Sequence, residues 1–131
     1  MANKPKFHPI NLGPLPHDLV SAILRLPMAQ GIVHYSAPAQ MHSYQRHPDT
    51  FHLCQPFLAM AVAQPSYIGQ APGHTADGFE HVLCAPDDEI NVLVAITLRP
   101  CNMGLYRVRS VYPLDINTVL RRVRKGFLTK L

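Results

Sequence analysis

The chain has 131 residues, of which 47% are hydrophobic and 15% are charged, and its formal net charge is +4 at pH 7. This composition excludes a disordered chain, which would have few apolar residues, and the length predicts a single domain over residues 1–131. No segment approaches the roughly twenty apolar residues that a membrane-spanning helix needs, so we expect no membrane partner. The basic excess favours a partner that carries phosphates.

The first half of the chain predicts mainly helices. They cover residues 17–26, residues 37–47, and a segment from Asp49 or Thr50 to about Gln64. Pro27 and Pro48 end the first two helices, and Pro56 predicts a kink or a late start in the third. Between the first two, the β-rich run GIVHYS predicts a short strand over residues 31–36.

The second half predicts a sheet. Its β-rich runs are residues 66–69, 80–84, 90–98 and 105–114. Turn residues at 86–88 and 100–104 connect them as an antiparallel meander, and the run from Ile90 is apolar on both faces, as in a central strand. Residues 69–78 are polar and contain glycine and proline, so we expect a mobile loop. Helices first and strands after predict an α+β fold, with N-terminal helices packed on a roughly four-stranded antiparallel sheet.

A basic helix is predicted to follow the sheet. Asp115 is a suitable N-cap, and Gly126 ends the helix as a C′ residue. The apolar positions, which recur at the spacing of a buried face, are Ile116, Val119, Leu120 and Val123. The basic positions are Arg121, Arg122, Arg124 and Lys125. Such residues usually form a solvated face, but their density without a compensating acid favours contacts with RNA phosphates.

The three cysteines indicate which cellular compartment, oxidising or reducing, the protein acts in. Cys54, Cys84 and Cys101 lack the paired spacing of a zinc site, and their odd number argues against a disulfide framework. Small buried apolar side chains in a reducing compartment are the simplest role for all three. We therefore expect a cytoplasmic site of action, no metal and no other cofactor.

The segment MHSYQRHP, residues 41–48, is unusually rich in polar groups. His42 and His47 lie five positions apart, so on a helix they would not share one metal ion, and no HExxH motif is present. Either histidine can instead serve as a general acid or base near neutral pH. The ordinary alternative is a solvated or structurally bonded histidine.

The run GLYRVRSVYPL, residues 104–114, supplies hydroxyls and guanidiniums. Alternation along a strand predicts one face with Tyr106, Val108, Ser110 and Tyr112. The opposite face is predicted to hold Leu105, Arg107, Arg109 and Val111. A sheet with aromatic core residues and solvated arginines is the structural alternative. Together with the histidine segment, the run offers what RNA cleavage by the adjacent 2′-hydroxyl requires: a base, an acid and cations for the charge on phosphorus.

The order of these motifs resembles the phage-associated branch of the barnase–EndoU–colicin–RelE (BECR) nucleases. The matching segments span residues 12–114 and read LGPLPHDLVSAILRL, IVHYS, MHSYQRHP, QPSYIG, VLVAITL and YRVRSVYPL. The resemblance implies helices packed on a four-stranded antiparallel sheet, with RNA cleaved in the cleft between them. It implies His47 as the leading acid or base, with Ser110 and Tyr112 as its partners. Further residues expected at the site are His42, Arg46, Arg107 and Arg109. The basic C-terminal helix departs from the family pattern.

The function expected from these features is that of a metal-independent, toxin-type endoribonuclease, a hydrolase acting in the cytoplasm of its own cell or as a delivered effector. Its expected partners are RNA, with tRNA among the candidates, and a cognate antitoxin or immunity protein. One alternative is an inactive RNA- or protein-binding module of phage or toxin origin, and another is a phage-encoded inhibitor or accessory protein. His74 or His81 can also join the site, because EndoU-like enzymes use two histidines.

Overall fold

The computed structural model describes residues 6–85 and 90–131. The strands within them are β1 (Ile10–Pro14), β2 (Ile32–Tyr35), β3 (Tyr67–Gly69), β4 (Gly78–Cys84), β5 (Asn91–Thr97), β6 (Leu105–Leu114) and β7 (Leu128–Lys130). The helices are α1 (His17–Leu24), α2 (Ala37–Arg46), α3 (Phe51–Cys54), α4 (Leu58–Ala63) and α5 (Ile116–Arg124), with a 3-10 turn at Gln55–Phe57. The predicted turn at residues 86–88 lies outside the described residues. In the described part of the chain, no helix is long and apolar enough to cross a membrane.

The sheet corrects the predicted architecture. Helices and strands combine as in an α+β protein, but the described strands form one seven-stranded mixed sheet in the order β1-β2-β6-β5-β4-β3-β7. The prediction of a roughly four-stranded antiparallel sheet is wrong. The antiparallel strands β3 to β6 lie at its centre, β2 extends it by pairing parallel to β6, and β1 and β7 form its edges. Edge strands as short as β7, or with a glycine and a proline like β1, carry little apolar alternation in sequence.

Several local predictions are confirmed. Asp115 caps α5 by accepting a hydrogen bond from the Thr118 N–H, and α2 begins at Ala37, where the helix over residues 37–47 was predicted to begin. The predicted third helix is interrupted at Pro56, where a 3-10 turn separates α3 from α4. Gly126 follows α5 with a φ of 81°, a left-handed conformation that suits glycine at C′.

The two faces of the sheet are covered differently. On one face, side chains of α1 and α4 pack against the strands in the larger core cluster, which includes Val20, Leu58, Val62, Phe79 and Val94. On the other face, α5 covers only one end of the strands. There Val119 packs in a smaller cluster with Tyr67, Val82, Leu93 and Leu128. The uncovered end of this second face forms the candidate site.

The apolar stripe predicted for α5 is only half buried. Val119 is fully buried and Val123 packs against the smaller cluster, but Ile116 and Leu120 remain 45% and 43% exposed. The helix therefore contacts the sheet along a narrower line than its sequence pattern predicts. Only one end of the sheet face lies beneath it, so the neighbouring end stays accessible.

A β-bulge in β6 corrects the predicted strand faces. Ala95 of β5 pairs with Ser110, but the next residue, Ile96, pairs with Val108, so Arg109 is an extra residue. The alternation therefore reverses at Arg109. Val111 joins the larger core on the same face as Val108, and Ser110 turns to the opposite face.

Candidate functional site

A cleft of about 540 Å³ lies over the uncovered end of the second sheet face. Its floor is a cross-strand row, because Glu80 of β4 pairs with Ala95 of β5, and Ala95 pairs with Ser110 of β6. The methyl group of Ala95 leaves a depression between the carboxyl group and the hydroxyl. Residues of α2, α5 and the loop at 70–77 form the walls.

Glu80 is the most unusual group in the cleft. It is only 8% exposed, although it is an acid, and its Oε1 lies 3.4 Å from Nη1 of Arg122. Burial raises the pKa of Glu80, while the positive charges of Arg122, His74 and Arg109 act in the opposite direction. A buried carboxyl group with a raised pKa in a cleft is a candidate for proton transfer.

Cations surround this carboxyl group. The basic side chains that line the cleft are His42, Arg46, His74, Arg109 and Arg122. They come from three helices or loops and one strand, so the cleft exists only when these parts of the chain are folded together. Guanidinium groups bind phosphate oxygens through forked hydrogen bonds, and a concave site lined by them concentrates anionic ligands.

The position of Arg109 depends on both the bulge and Gly78. The bulge directs Arg109 and Ser110 to the cleft from consecutive positions of one strand. Gly78 begins β4, and a Cβ atom there would contact the carbonyl oxygen of Ile96 and lie 3.1 Å from Nη1 of Arg109. The guanidinium group therefore lies beside the Gly78 backbone, in space that a side chain would take.

The loop at 70–77 places His74 at the rim. Gln70 Nε2 donates hydrogen bonds to the carbonyl oxygens of Thr75 and Gly78, at 2.8 and 3.1 Å, and so ties the loop to the start of β4. His74 Nδ1 lies 3.4 Å from Oδ2 of Asp77. The loop thus has defined internal contacts, and its predicted mobility stays a prediction.

Six of the predicted site residues meet in the cleft. They are His42, Arg46, Arg109, Ser110, Tyr112 and Arg122. The predicted residues that are not part of its lining are His47, Arg107, Arg121, Arg124 and Lys125. The His47 ring instead stacks against the ring of Tyr112, with centroids 5.5 Å apart and planes 26° apart. It reaches the cleft only through that phenol, so the role predicted for His47 stays a prediction.

The two additional histidines are placed very differently. His74 lines the cleft, whereas His81 is fully buried on the opposite face of β4. Its Nδ1 lies 2.9 Å from the carbonyl oxygen of Ala61, and burial lowers the pKa of His81 to about 4. His81 is therefore a neutral core residue that does not reach the cleft.

Sequence reasoning missed Glu80. The sequence does contain a signal for it. Glu80 lies in the middle of the apolar run GFEHVLC, and an acid inside an apolar strand is rarely buried unless it has a partner. What the sequence could not provide was its partner, Arg122, which is 42 residues away.

Comparison with known proteins adds no family assignment. No family model, no curated protein and no solved structure matches the chain. The resemblance to the BECR nucleases therefore rests on sequence motifs alone. Among the described residues, no group of three or more His, Cys, Asp or Glu side chains is arranged to hold a metal ion.

Proposed function

We propose that the protein is an endoribonuclease that cleaves RNA by attack of a 2′-hydroxyl on the adjacent phosphate. The observation that carries this proposal is the buried carboxyl group of Glu80 on the floor of an open cleft lined with arginines and histidines. A base, an acid and several cations within one concave site are the groups that this reaction requires. The BECR resemblance implies the same reaction class, but with His47 rather than Glu80 as the leading acid or base.

In the proposed reaction, the Glu80 carboxylate accepts the proton of the 2′-hydroxyl while that oxygen forms a bond to phosphorus. The bond from phosphorus to the 5′-oxygen breaks, and His42 or His74 in its protonated form donates a proton to the leaving oxygen. The products are a 2′,3′-cyclic phosphate and a 5′-hydroxyl. Arg109 and Arg122 stabilise the negative charge on the phosphoryl oxygens during the reaction.

Two further cleft residues have supporting roles in this proposal. The Ser110 hydroxyl lies in the same cross-strand row as Glu80 and can orient the scissile phosphate. Tyr112 lines the cleft and stacks on His47, so that His47 acts by fixing the phenol. We propose cytoplasmic RNA as the substrate, with tRNA among the candidates, and an antitoxin or immunity protein as the partner that restrains a toxin of this type.

A binding module without turnover is the second candidate. The observation that favours it is the position of Arg121, Arg124 and Lys125, which are exposed and outside the cleft lining. The basic surface therefore extends beyond the site where chemistry is proposed. Such a module would hold RNA through phosphate contacts and weaken steeply as salt rises, without producing new RNA ends.

Cleavage of bacterial RNA in EDTA tests the proposed function. Wild type, Glu80→Gln and the control His8→Ala are incubated with the RNA, and the new ends are identified by mass spectrometry. His8 is a suitable control because its side chain is exposed and lies outside the cleft lining. We expect 2′,3′-cyclic phosphate ends from wild type and His8→Ala but not from Glu80→Gln. Intact RNA with wild type, at preserved circular dichroism, would favour the binding module.

A further inference from the structure

A second depression adjoins the cleft. This groove has a volume of about 450 Å³ and is lined by residues just before β4, by the end of β5 and the segment that follows it, and by Arg109 of β6. Its lining residues are Ala76, Asp77, Thr97, Leu98, Arg99 and Arg109. Arg109 lines both this groove and the cleft, so the two depressions meet at its side chain. The backbone of Gly78 is part of that boundary, since Asp77 before it lines the groove and Phe79 after it lines the cleft.

The groove carries the chemistry of a phosphate site. Arg99 is exposed and Arg109 is the second guanidinium, so two forked donors are present. The carboxylate in the lining, Asp77, lies 3.4 Å from the imidazole of His74 and is partly offset by it when that ring is protonated. Thr97 Oγ1 donates to the carbonyl oxygen of Arg99 at 3.3 Å and accepts from the Arg107 N–H at 3.0 Å. These bonds hold the backbone that carries Arg99.

We propose that the groove binds the phosphate next to the scissile one, so that the substrate is a single strand with at least two consecutive phosphodiesters. This inference rests on the proposed function, because it takes the cleft as the position of the scissile phosphate. Consecutive phosphates in a strand are joined by one nucleoside, and two depressions that share a guanidinium suit such a pair. Arg109 lies between the two phosphates, and Arg99 contacts only the second.

A groove for a second phosphate distinguishes this protein from an enzyme that acts on a nucleotide conjugate or a dinucleotide. A substrate with one phosphodiester fills the cleft and leaves the groove without a ligand. A trinucleotide gains a charge-assisted contact with Arg99, which is worth about a tenfold gain in kcat/KM. The contact is to a phosphate, so the gain is independent of base sequence.

The test compares random-sequence pools of dinucleotide and trinucleotide RNA. For wild type, we expect kcat/KM per cleavable bond to be about tenfold higher with the trinucleotide. Arg99→Ala should remove this advantage and leave dinucleotide cleavage unchanged. Arg25→Ala is the matched control, because it removes an exposed arginine that lines neither depression. A neutral methylphosphonate at the linkage that is not cleaved should have the same effect as Arg99→Ala.

A binding measurement distinguishes failure of this inference from failure of the proposed function. Dinucleotides and trinucleotides are also prepared with 2′-O-methyl groups, so that they cannot be cleaved. Their affinity for the protein is measured by fluorescence anisotropy. Equal cleavage of both RNA lengths, or a length preference that survives Arg99→Ala, would overturn the groove assignment and leave the ribonuclease proposal standing. Absence of cleavage, with trinucleotide binding that depends on Arg99, would overturn the ribonuclease and leave the groove assignment standing. Absence of both cleavage and binding would overturn both.

Discussion

Two neighbouring cross-strand rows lie on the same sheet face, but one belongs mainly to the core and the other forms the floor of the cleft. In the row Val82–Leu93–Tyr112, Val82 and Leu93 belong to the smaller core cluster beneath α5, and Tyr112 packs against that cluster while also lining the cleft. The row Glu80–Ala95–Ser110, two residues away along each strand, forms the floor of the cleft, although Ala95 still packs against the smaller cluster and Glu80 contacts Arg122 of α5. The backbone pairing is continuous between them, so the difference comes from the side chains and from where α5 ends.

One sheet face thus contributes both to stability and to the candidate site. Apolar side chains in the covered row lose contact with water and stabilise the fold. In the open row, burial raises the pKa of the Glu80 carboxyl group, which opposes folding when the group is charged and suits the proton transfer that we propose. We therefore expect substitutions in the open row to change activity, and substitutions of the buried residues Val82 and Leu93, or of residues beneath the sheet, to change stability.

The largest effect is expected for Glu80→Gln. Cleavage should fall by about 10²- to 10⁴-fold, because the proposed proton acceptor is lost. The free energy of unfolding at pH 7.5 should rise, since burial raises the pKa of Glu80 and the charged form therefore opposes folding at that pH. Single-turnover cleavage and urea unfolding of the same preparation measure both quantities. A variant that loses stability and keeps its activity would reverse the assignment of the two rows.

His81, on the opposite face of β4, should make the fold sensitive to acid. Its pKa is lowered to about 4 in the fold, against 6.5 for the ordinary group, so below pH 6.5 the unfolded chain binds more protons. Stability is thus lost as pH falls from 6.5 towards 4, by about 3 kcal/mol at roughly 1.4 kcal/mol per pH unit. The measurement is urea unfolding of wild type and His81→Gln over this range. Parallel curves for the two proteins would show that His81 does not contribute.

Val119 lies in α5, the helix that packs on the row Val82–Leu93–Tyr112. Val119→Ala should lower the free energy of unfolding by about 2 kcal/mol. Val119 is fully buried, and the substitution removes methyl groups from the smaller core. Ile116→Ala is the control on the same helix, because Ile116 is 45% exposed and should change stability by much less. Cleavage by the folded fraction of either variant should match wild type. Equal destabilisation by both would mean that α5 packs along its whole apolar stripe.

The smallest effect concerns the floor of the cleft. Ala95→Leu should fill the depression between Glu80 and Ser110 and lower kcat/KM by about tenfold, through substrate misplacement rather than unfolding. Thermal unfolding followed by circular dichroism checks that the fold persists. Ala95→Gly is the control, because it keeps the depression open. Full activity of the leucine variant would place the substrate elsewhere on the protein.

The sequence predicts the local features of this structure better than its long-range pairings. The cap at Asp115, the break at Pro56 and the central strands follow from signals within a few residues. The edge strands β1 and β7 do not, because their pairing depends on partners far along the chain. Consequently a four-stranded antiparallel sheet was expected where a seven-stranded mixed one is found.

The candidate site shows the same limit. The residues at 42–46 and 109–112 are suggested by their chemistry, and six predicted residues do line one cleft. The bulge at Arg109 cannot be read from β6 alone, because it is defined by the register against β5. For the same reason the predicted faces of β6 are wrong from Arg109 onwards, while Tyr106 and Val108 share the core face as predicted. The ion pair between Glu80 and Arg122 likewise joins a strand to a helix that the sequence leaves unconnected.

The pH dependence of RNA cleavage by wild type tests the central claim most directly. With Glu80 as the base and a protonated histidine as the acid, kcat/KM should follow a bell-shaped curve. Its acidic limb should report a carboxyl group that titrates above 4.5, the usual value, because burial raises the pKa of Glu80. The acidic limb should disappear in Glu80→Gln, along with most of the rate. A rate that rises steadily with pH in both proteins would contradict the claim, since hydroxide rather than Glu80 would then activate the 2′-hydroxyl.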